Sequence, residues 1–156
     1  MRGSRRVRLG TVFVAMQVLL LGAFLALPRV WRAGWDTGAW WGSVGWTLVA
    51  VGVVLAVAAG VALGRHLTPF PEPRSSSSLV TSGPYRFARH PIYGGVLLAA
   101  LGWTLASGSL AVATLTGVAL VFFDAKRRYE ERVLHERFEG YGTYREATRV
   151  FVPFVL

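Results

Sequence analysis

The stretch Ile92 to Phe123, IYGGVLLAALGWTLASGSLAVATLTGVALVFF, runs for 32 residues without a charge. As one α-helix it would be about 48 Å long at 1.5 Å per residue, against a hydrocarbon core of about 30 Å. A modest tilt does not absorb that excess. Near the middle lies the turn-forming cluster Ala106-Ser107-Gly108-Ser109, which predicts a tight helical hairpin of two spans, about 91–106 and 109–125. Each arm is then only about 15 residues, or roughly 22 Å, so the open end of the hairpin is drawn to the headgroup layer or slightly below it.

Two further uncharged runs, Leu9 to Leu27 and Trp40 to Gly64, are 19 and 25 residues long. Each can cross a bilayer, giving spans at about 9–28 and 40–64. With 53% hydrophobic residues and a mean hydropathy of +0.45, the chain is more apolar than a soluble domain. The expected fold is all-α: a single membrane domain over 1–156 with four transmembrane helices and a cytoplasmic C-terminal helical extension. Arg2, Arg5, Arg6 and Arg8 precede the first run as in a secretory signal. Its length exceeds the roughly 7–15 residues of a signal core, so the expectation is a retained span.

Sixteen arginines and one lysine give a net charge of +9, but they are dispersed between apolar runs, which argues for membrane orientation and against nucleic acid. Four precede the first run, four lie between Arg65 and Arg89, and seven follow from Lys126, whereas only Arg29 and Arg32 separate the first two runs. Fifteen against two places both termini in the cytoplasm, in a cell (inner) membrane, with Trp31, Trp35, Trp40 and Trp41 as an outer aromatic belt. There is no cysteine, hence no disulfide, thiolate nucleophile or cysteine zinc site. His66, His90 and His135 are too scattered for a metal site, and His66 and His135 read as surface residues. The loop RHLTPFPEPRSSSSLVTSGPYR, with Pro69, Pro71 and Pro73, reads as extended. Gly60 and Gly64 are spaced for close approach of another helix, and a homo-oligomer is left open.

A hairpin is antiparallel, so its two open ends meet. His90-Pro91 at the start of the third span must face the stretch Asp124 to Glu131 at the exit of the fourth. Pro91 suits the first position of a helix and His90 its N-cap. Free amides there, with Arg86 and Arg89, favour a carboxylate or phosphate, while Glu130 and Glu131 favour an ammonium, a sulfonium or ribose hydroxyls. The plain alternative is interfacial anchoring by Arg86, Arg89 and Tyr93, with Lys126 and Arg127 pairing with Glu130 and Glu131 along a solvated helix. The fourth arm runs without a breaker into DAKRRYEERVLHERFEG. This predicts one helix that leaves the membrane near Asp124 and continues in water to about Gly140, where glycine ends it.

GPYRFARHPIYGG, Gly83 to Gly95, followed after the hairpin by YEERVLHERFEGYGTYREATRVFVPF, Tyr129 to Phe154, resembles the isoprenylcysteine carboxyl methyltransferase and phospholipid methyltransferase group of integral membrane enzymes. The resemblance covers about 79–154. It implies S-adenosylmethionine as cofactor and O- or N-methylation of a membrane-dissolved, lipid-like acceptor, without a metal. It assigns cofactor contacts to His90, Tyr93, Gly94, Gly95, Glu130 and Glu131. The acceptor and the chemistry would then fall to Arg89, Tyr144 and Arg149, with Tyr141 in the same tail pattern. A nicotinamide-dependent reductase shares this type of fold, but no glycine-rich dinucleotide motif is present. A non-catalytic membrane subunit would bind no such cofactor. A coupled transporter is disfavoured because none of the four apolar runs holds an Asp, Glu, Lys, Arg or His.

Overall fold

The structure, a computed structural model, describes residues 2–70 and 78–151, with side chains from Leu9 onward. It is all-α: α1 Arg2–Val30, α2 Gly38–Leu63, α3 Pro91–Ser107, α4 Leu110–Arg137 and α5 Tyr141–Ala147, with single 3-10 turns at Gly64–His66 and Gly83–Arg86. Leu9–Val30 and Gly38–His66 are long and apolar enough to cross a membrane, and Pro91–Ser107 is a shorter apolar helix. Of the expected extended loop, residues 71–77 lie outside the described residues.

The hairpin bends where its sequence demands. Gly108 takes the left-handed conformation, φ 58°, and closes α3 by donating its N–H to Thr104 O, while the Ser109 side chain accepts from Val112 N to open α4. A residue with a Cβ is strained at that φ, which is why the turn falls on glycine. The bend is also stitched to the α1–α2 loop, with Trp35 N donating to Gly108 O at 2.8 Å and Leu110 N to Ala33 O at 3.0 Å.

The tightest packing lies between α2 and α3. Gly45 and Gly52 on one helix meet Gly102 and Gly95 on the other in antiparallel order, so closely that a Cβ at Gly52 would lie 2.5 Å from Gly95 O and one at Gly102 would lie 2.5 Å from Gly45 O. The seven-residue spacing on both helices keeps these glycines on one seam. Gly60 and Gly64, expected from the sequence to serve this purpose, meet nothing within 4 Å inside the chain; Gly64, φ +51°, instead ends α2. On the other side of α3 and α4, Phe122, Phe123 and Ala119 form an apolar cluster with Phe13, Leu20 and Phe24 of α1 and Tyr93 and Leu97 of α3. Phe13 lies 6.1 Å from Phe122 and 5.6 Å from Tyr129, ring to ring, which fixes α1 against α4.

Past Asp124, α4 departs from the sequence expectation in two respects. It is not a fully solvated helix: Lys126, Glu131 and Val133 are buried, Lys126 against Gln17, Pro69 and Tyr93, and Glu131 against Arg89 and His90. It ends at Arg137, with Phe138 extended, and Gly140 sits at the start of α5 with an ordinary φ of −77°. The chain turns back there because α5 must return over the open end of the hairpin.

Candidate functional site

The α3 N-terminus is built as the sequence predicts, with Pro91 at the first helical position and His90 as N-cap. The backbone before it is paired with the C-terminal segment: Arg149 N donates to Phe87 O, Arg89 N to Arg149 O and His90 N to Val150 O. Gly94 lies under the Phe151 carbonyl, where a Cβ would collide. Residues separated by about sixty positions are thereby locked beside the helix end that carries Arg89, His90 and Tyr93.

Those three side chains meet the two glutamates of α4. Arg89 Nε lies 3.3 Å from Glu131 Oε1, His90 Nε2 lies 3.3 Å from the same oxygen, and His90 Nδ1 lies 3.5 Å from Glu130 Oε2. The Tyr93 hydroxyl donates to Glu130 Oε1 at 2.6 Å, and its ring stacks on His90 with an interplanar angle of 2°. The imidazole therefore sits between two carboxylates. Its Nε2 contact with Glu131 is close but not aligned as a hydrogen bond, leaving a buried ring nitrogen without one among the described residues.

The adjacent glutamates have opposite electrostatics. Burial disfavours the charge of Glu131, but His90 and Arg89 more than offset this and hold its carboxyl at about 2. Burial dominates at Glu130 and raises its pKa above the ordinary carboxylate value, against the pull of His90, the Tyr93 hydroxyl and Lys126. The ion pair Arg127–Glu131 of the plain alternative is present at 3.6 Å, as one of several cations around Glu131.

Glu130, His90, Tyr93 and Arg89 line a cavity of about 400 Å³. Its other walls include Tyr85, Tyr141, Tyr144 and Phe138 on the tail side, Leu63, His66 and Pro69 at the end of α2, and Gln17 and Lys126 on the α1 side. His66, read from sequence as a surface residue, is a wall of this cavity, whereas His135 is exposed with its ring 6.4 Å from Tyr141. The hydroxyl of Tyr141, a residue only 1% exposed, has no hydrogen-bond partner among the described residues. Tyr144 donates to Tyr85 O at 2.7 Å, and burial raises its hydroxyl to about 12.

Of the sequence-derived site residues, His90, Tyr93, Glu130, Glu131, Arg89 and Tyr144 come together. Arg89 is consumed by that assembly, its Nη1 donating to the Arg145 and Thr148 carbonyls while Nε faces Glu131. Arg149 joins through its backbone, with its side chain exposed and outside the cavity wall, as is that of Arg86. Gly95 packs against α2, away from the cavity. Sequence reasoning missed Gln17 and gave Lys126 no role beyond pairing with Glu130. The signal was available, since these are the single glutamine and the single lysine of the chain.

Comparison with known proteins gives one family. Residues 40–140 match the phospholipid methyltransferase family. The cobalt-zinc-cadmium resistance protein CzcN of Cupriavidus metallidurans is 34% identical over 149 residues, covering 95% of this chain but 64% of that protein, so the chain spans less than two thirds of that relative. A probable protein-S-isoprenylcysteine O-methyltransferase of Oryza sativa is 29% identical over 161 residues, covering 98% of this chain and 84% of that protein. The fold is that of the eukaryotic intramembrane Ras methyltransferase ICMT, with a TM-score of 0.67 at 22% identity over 99% of this chain and 53% of that one.

Proposed function

Because the chain belongs to the phospholipid methyltransferase family, we propose that it is an integral membrane enzyme that transfers the methyl group of S-adenosylmethionine to a lipid-like acceptor. The observation that carries this is the convergence of Arg89, His90 and Tyr93 from α3 with Glu130 and Glu131 from α4, at a cavity of about 400 Å³. That volume lies within the roughly 300–1,000 Å³ of small-molecule sites.

The wall fits the cofactor. Glu130 offers a buried carboxylate to a cation, and the Tyr141 hydroxyl and His90 Nε2 are buried polar atoms without a hydrogen bond among the described residues. Such groups are costly unless something pairs with them. When bound, S-adenosylmethionine supplies an electrophilic methyl on a positively charged sulfur. The protein's part is alignment and exclusion of water. Tyr93 and His90 hold Glu130 facing the cavity, and Glu131 fixes His90 and Arg89. Arg89 in turn ties α5 and the following residues over the site, and Tyr144 fastens them to Tyr85.

In the proposed topology α1 to α4 all span, with both termini cytoplasmic. Lys126 Nζ reaches Gln17, eight residues after Leu9, where the uncharged run of α1 begins. That is about 12 Å along the helix. The α1 side of the cavity therefore opens just below the headgroup layer, within reach of a lipid tail, while the tail side faces water. The test is incubation of purified protein with methyl-labelled S-adenosylmethionine and a total lipid extract, followed by phase partition. Label is expected in the organic phase. Label confined to water-soluble products would overturn the lipid acceptor, and no cofactor binding at all would overturn the methyltransferase.

A further inference from the structure

Lys126 is 2% exposed, and among the described residues its ammonium donates to neutral acceptors. Nζ donates to Gln17 Oε1 at 2.7 Å and to Pro69 O at 3.1 Å, and lies 5.4 Å from the centre of the Tyr93 ring. A lysine has three N–H donors, so one is left over. Among the described residues no carboxylate lies within ion-pairing distance of it. Glu130, one turn along α4, is engaged by Tyr93 and His90. A buried positive charge with no direct ion pair among the described residues is unfavourable, and the Glu130 carboxylate one turn away offsets this only in part. Here it forms part of the cavity wall, beside Gln17 and on the side facing α1.

We infer that Lys126, positioned by Gln17, is the subsite for the head of the acceptor and selects an anionic head, carboxylate or phosphate, over an amine. This rests on the methyltransferase reading and names its acceptor class. The placement is suited to the task. Four residues separate Lys126 from Glu130, about 6 Å along the helix axis, so a head bound at one can approach a donor bound at the other. The charges sort the two ligands, the carboxylate drawing the cationic donor and the ammonium drawing an anion and repelling a protonated amine. An anionic nucleophile also needs no proton removed before it attacks.

The test is direct binding to the full chain in detergent at pH 8.5, with three probes of equal tail length: hexadecanoic acid, hexadecyl phosphate and hexadecylamine. The wild type should bind at least one anion about tenfold more tightly than the amine, as expected for one charge-assisted hydrogen bond. Whichever anion binds more tightly identifies the head. Lys126→Met should abolish the contrast and Lys126→Arg should retain most of it. Equal affinity of the wild type for acid, phosphate and amine overturns the inference even if Lys126→Met does not fold, as does an unchanged contrast in a folded Lys126→Met. A parallel S-adenosylmethionine titration of the wild type separates the two failures, because loss of that binding removes the methyltransferase reading and leaves the head-group contrast as a separate result.

Discussion

The two ends of α3 are held by different physics. Along the seam with α2 no charge is involved, and the helices touch backbone to backbone through Gly45, Gly52, Gly95 and Gly102. At the N-terminus of the same helix charge sets the geometry; Arg89 and His90 are fixed by Glu130, Glu131 and the carbonyls of the returning C-terminal segment. In a bilayer, apolar side chains gain little by leaving lipid, so close approach is what holds helices together. Ionic contacts become useful where the cavity requires particular groups at particular points. The seam is tolerant of chemistry and intolerant of volume, and the charged end is the reverse.

The sharpest way to break that contrast is a large residue in the seam. Gly52→Leu places atoms where Gly95 O and Ala99 N already lie, at 2.5 and 2.6 Å from the new Cβ, and backbone cannot yield as a side chain would. The expected loss is at least about 3 kcal/mol, seen as failure to recover folded protein in detergent. Gly60→Leu, on the same helix with nothing within 4 Å, should unfold as the wild type does.

At the charged end volume is unchanged and charge is removed. Glu131→Gln should lower stability at neutral pH by about 2–3 kcal/mol, because a carboxyl held at about 2 against an ordinary 4.5 stabilises the fold. The sign follows from that depression: the contribution is complete above about pH 4.5 and disappears as pH falls toward 2, so equilibrium unfolding between those values should flatten in the variant. Glu130→Gln should behave oppositely. Its carboxyl is raised by burial, so neutralising it should leave stability equal or higher while weakening S-adenosylmethionine about tenfold by calorimetric titration. If both variants lose stability alike, the division between a structural and a ligand-facing glutamate is wrong.

His90→Ala touches both glutamates and should weaken cofactor binding by about tenfold, because the imidazole that holds Glu130 toward the cavity is lost. The gentlest test leaves energetics alone. Ser82 is exposed just before the 3-10 turn of Gly83–Arg86, and the chain has no native cysteine. Ser82→Cys should fold normally and react with an impermeant thiol reagent only when the cytoplasmic face is accessible.

How far the sequence could be read follows the same division. The hairpin, its bend at Ala106–Ser109 and the meeting of His90 with the Glu130-Glu131 pair were legible because hydrophobic run length and the antiparallel geometry of a hairpin are local facts. The seam was not. Gly60 and Gly64 have the spacing that close packing uses, but whether a glycine meets a partner depends on which helix lies opposite, and α3 lies against Gly45 and Gly52 instead. Lys126 and Gln17, 109 residues apart, were overlooked for the same reason. Arg149 was read as a side chain, whereas its backbone is what joins Phe87 and Arg89. Arg89 was legible as important but not as a clamp, since carbonyls carry no sequence signature.

The stitching of the hairpin bend to the loop before α2 has a bearing on how the chain is made. Ala33 and Trp35 leave the ribosome well before Gly108 and Leu110, which later bond to them. If the first two helices are threaded in order, their connecting loop is already exposed on the far face when the third arrives. The bend that must cross to reach it, Ala106 to Ser109, carries no charge, so its passage costs little beyond a few hydroxyls and peptide groups. Once across, backbone hydrogen bonds hold it against return. On the proposed four-span topology the receiving loop would act as a ratchet pawl, the second half of the protein being captured by the first as it emerges.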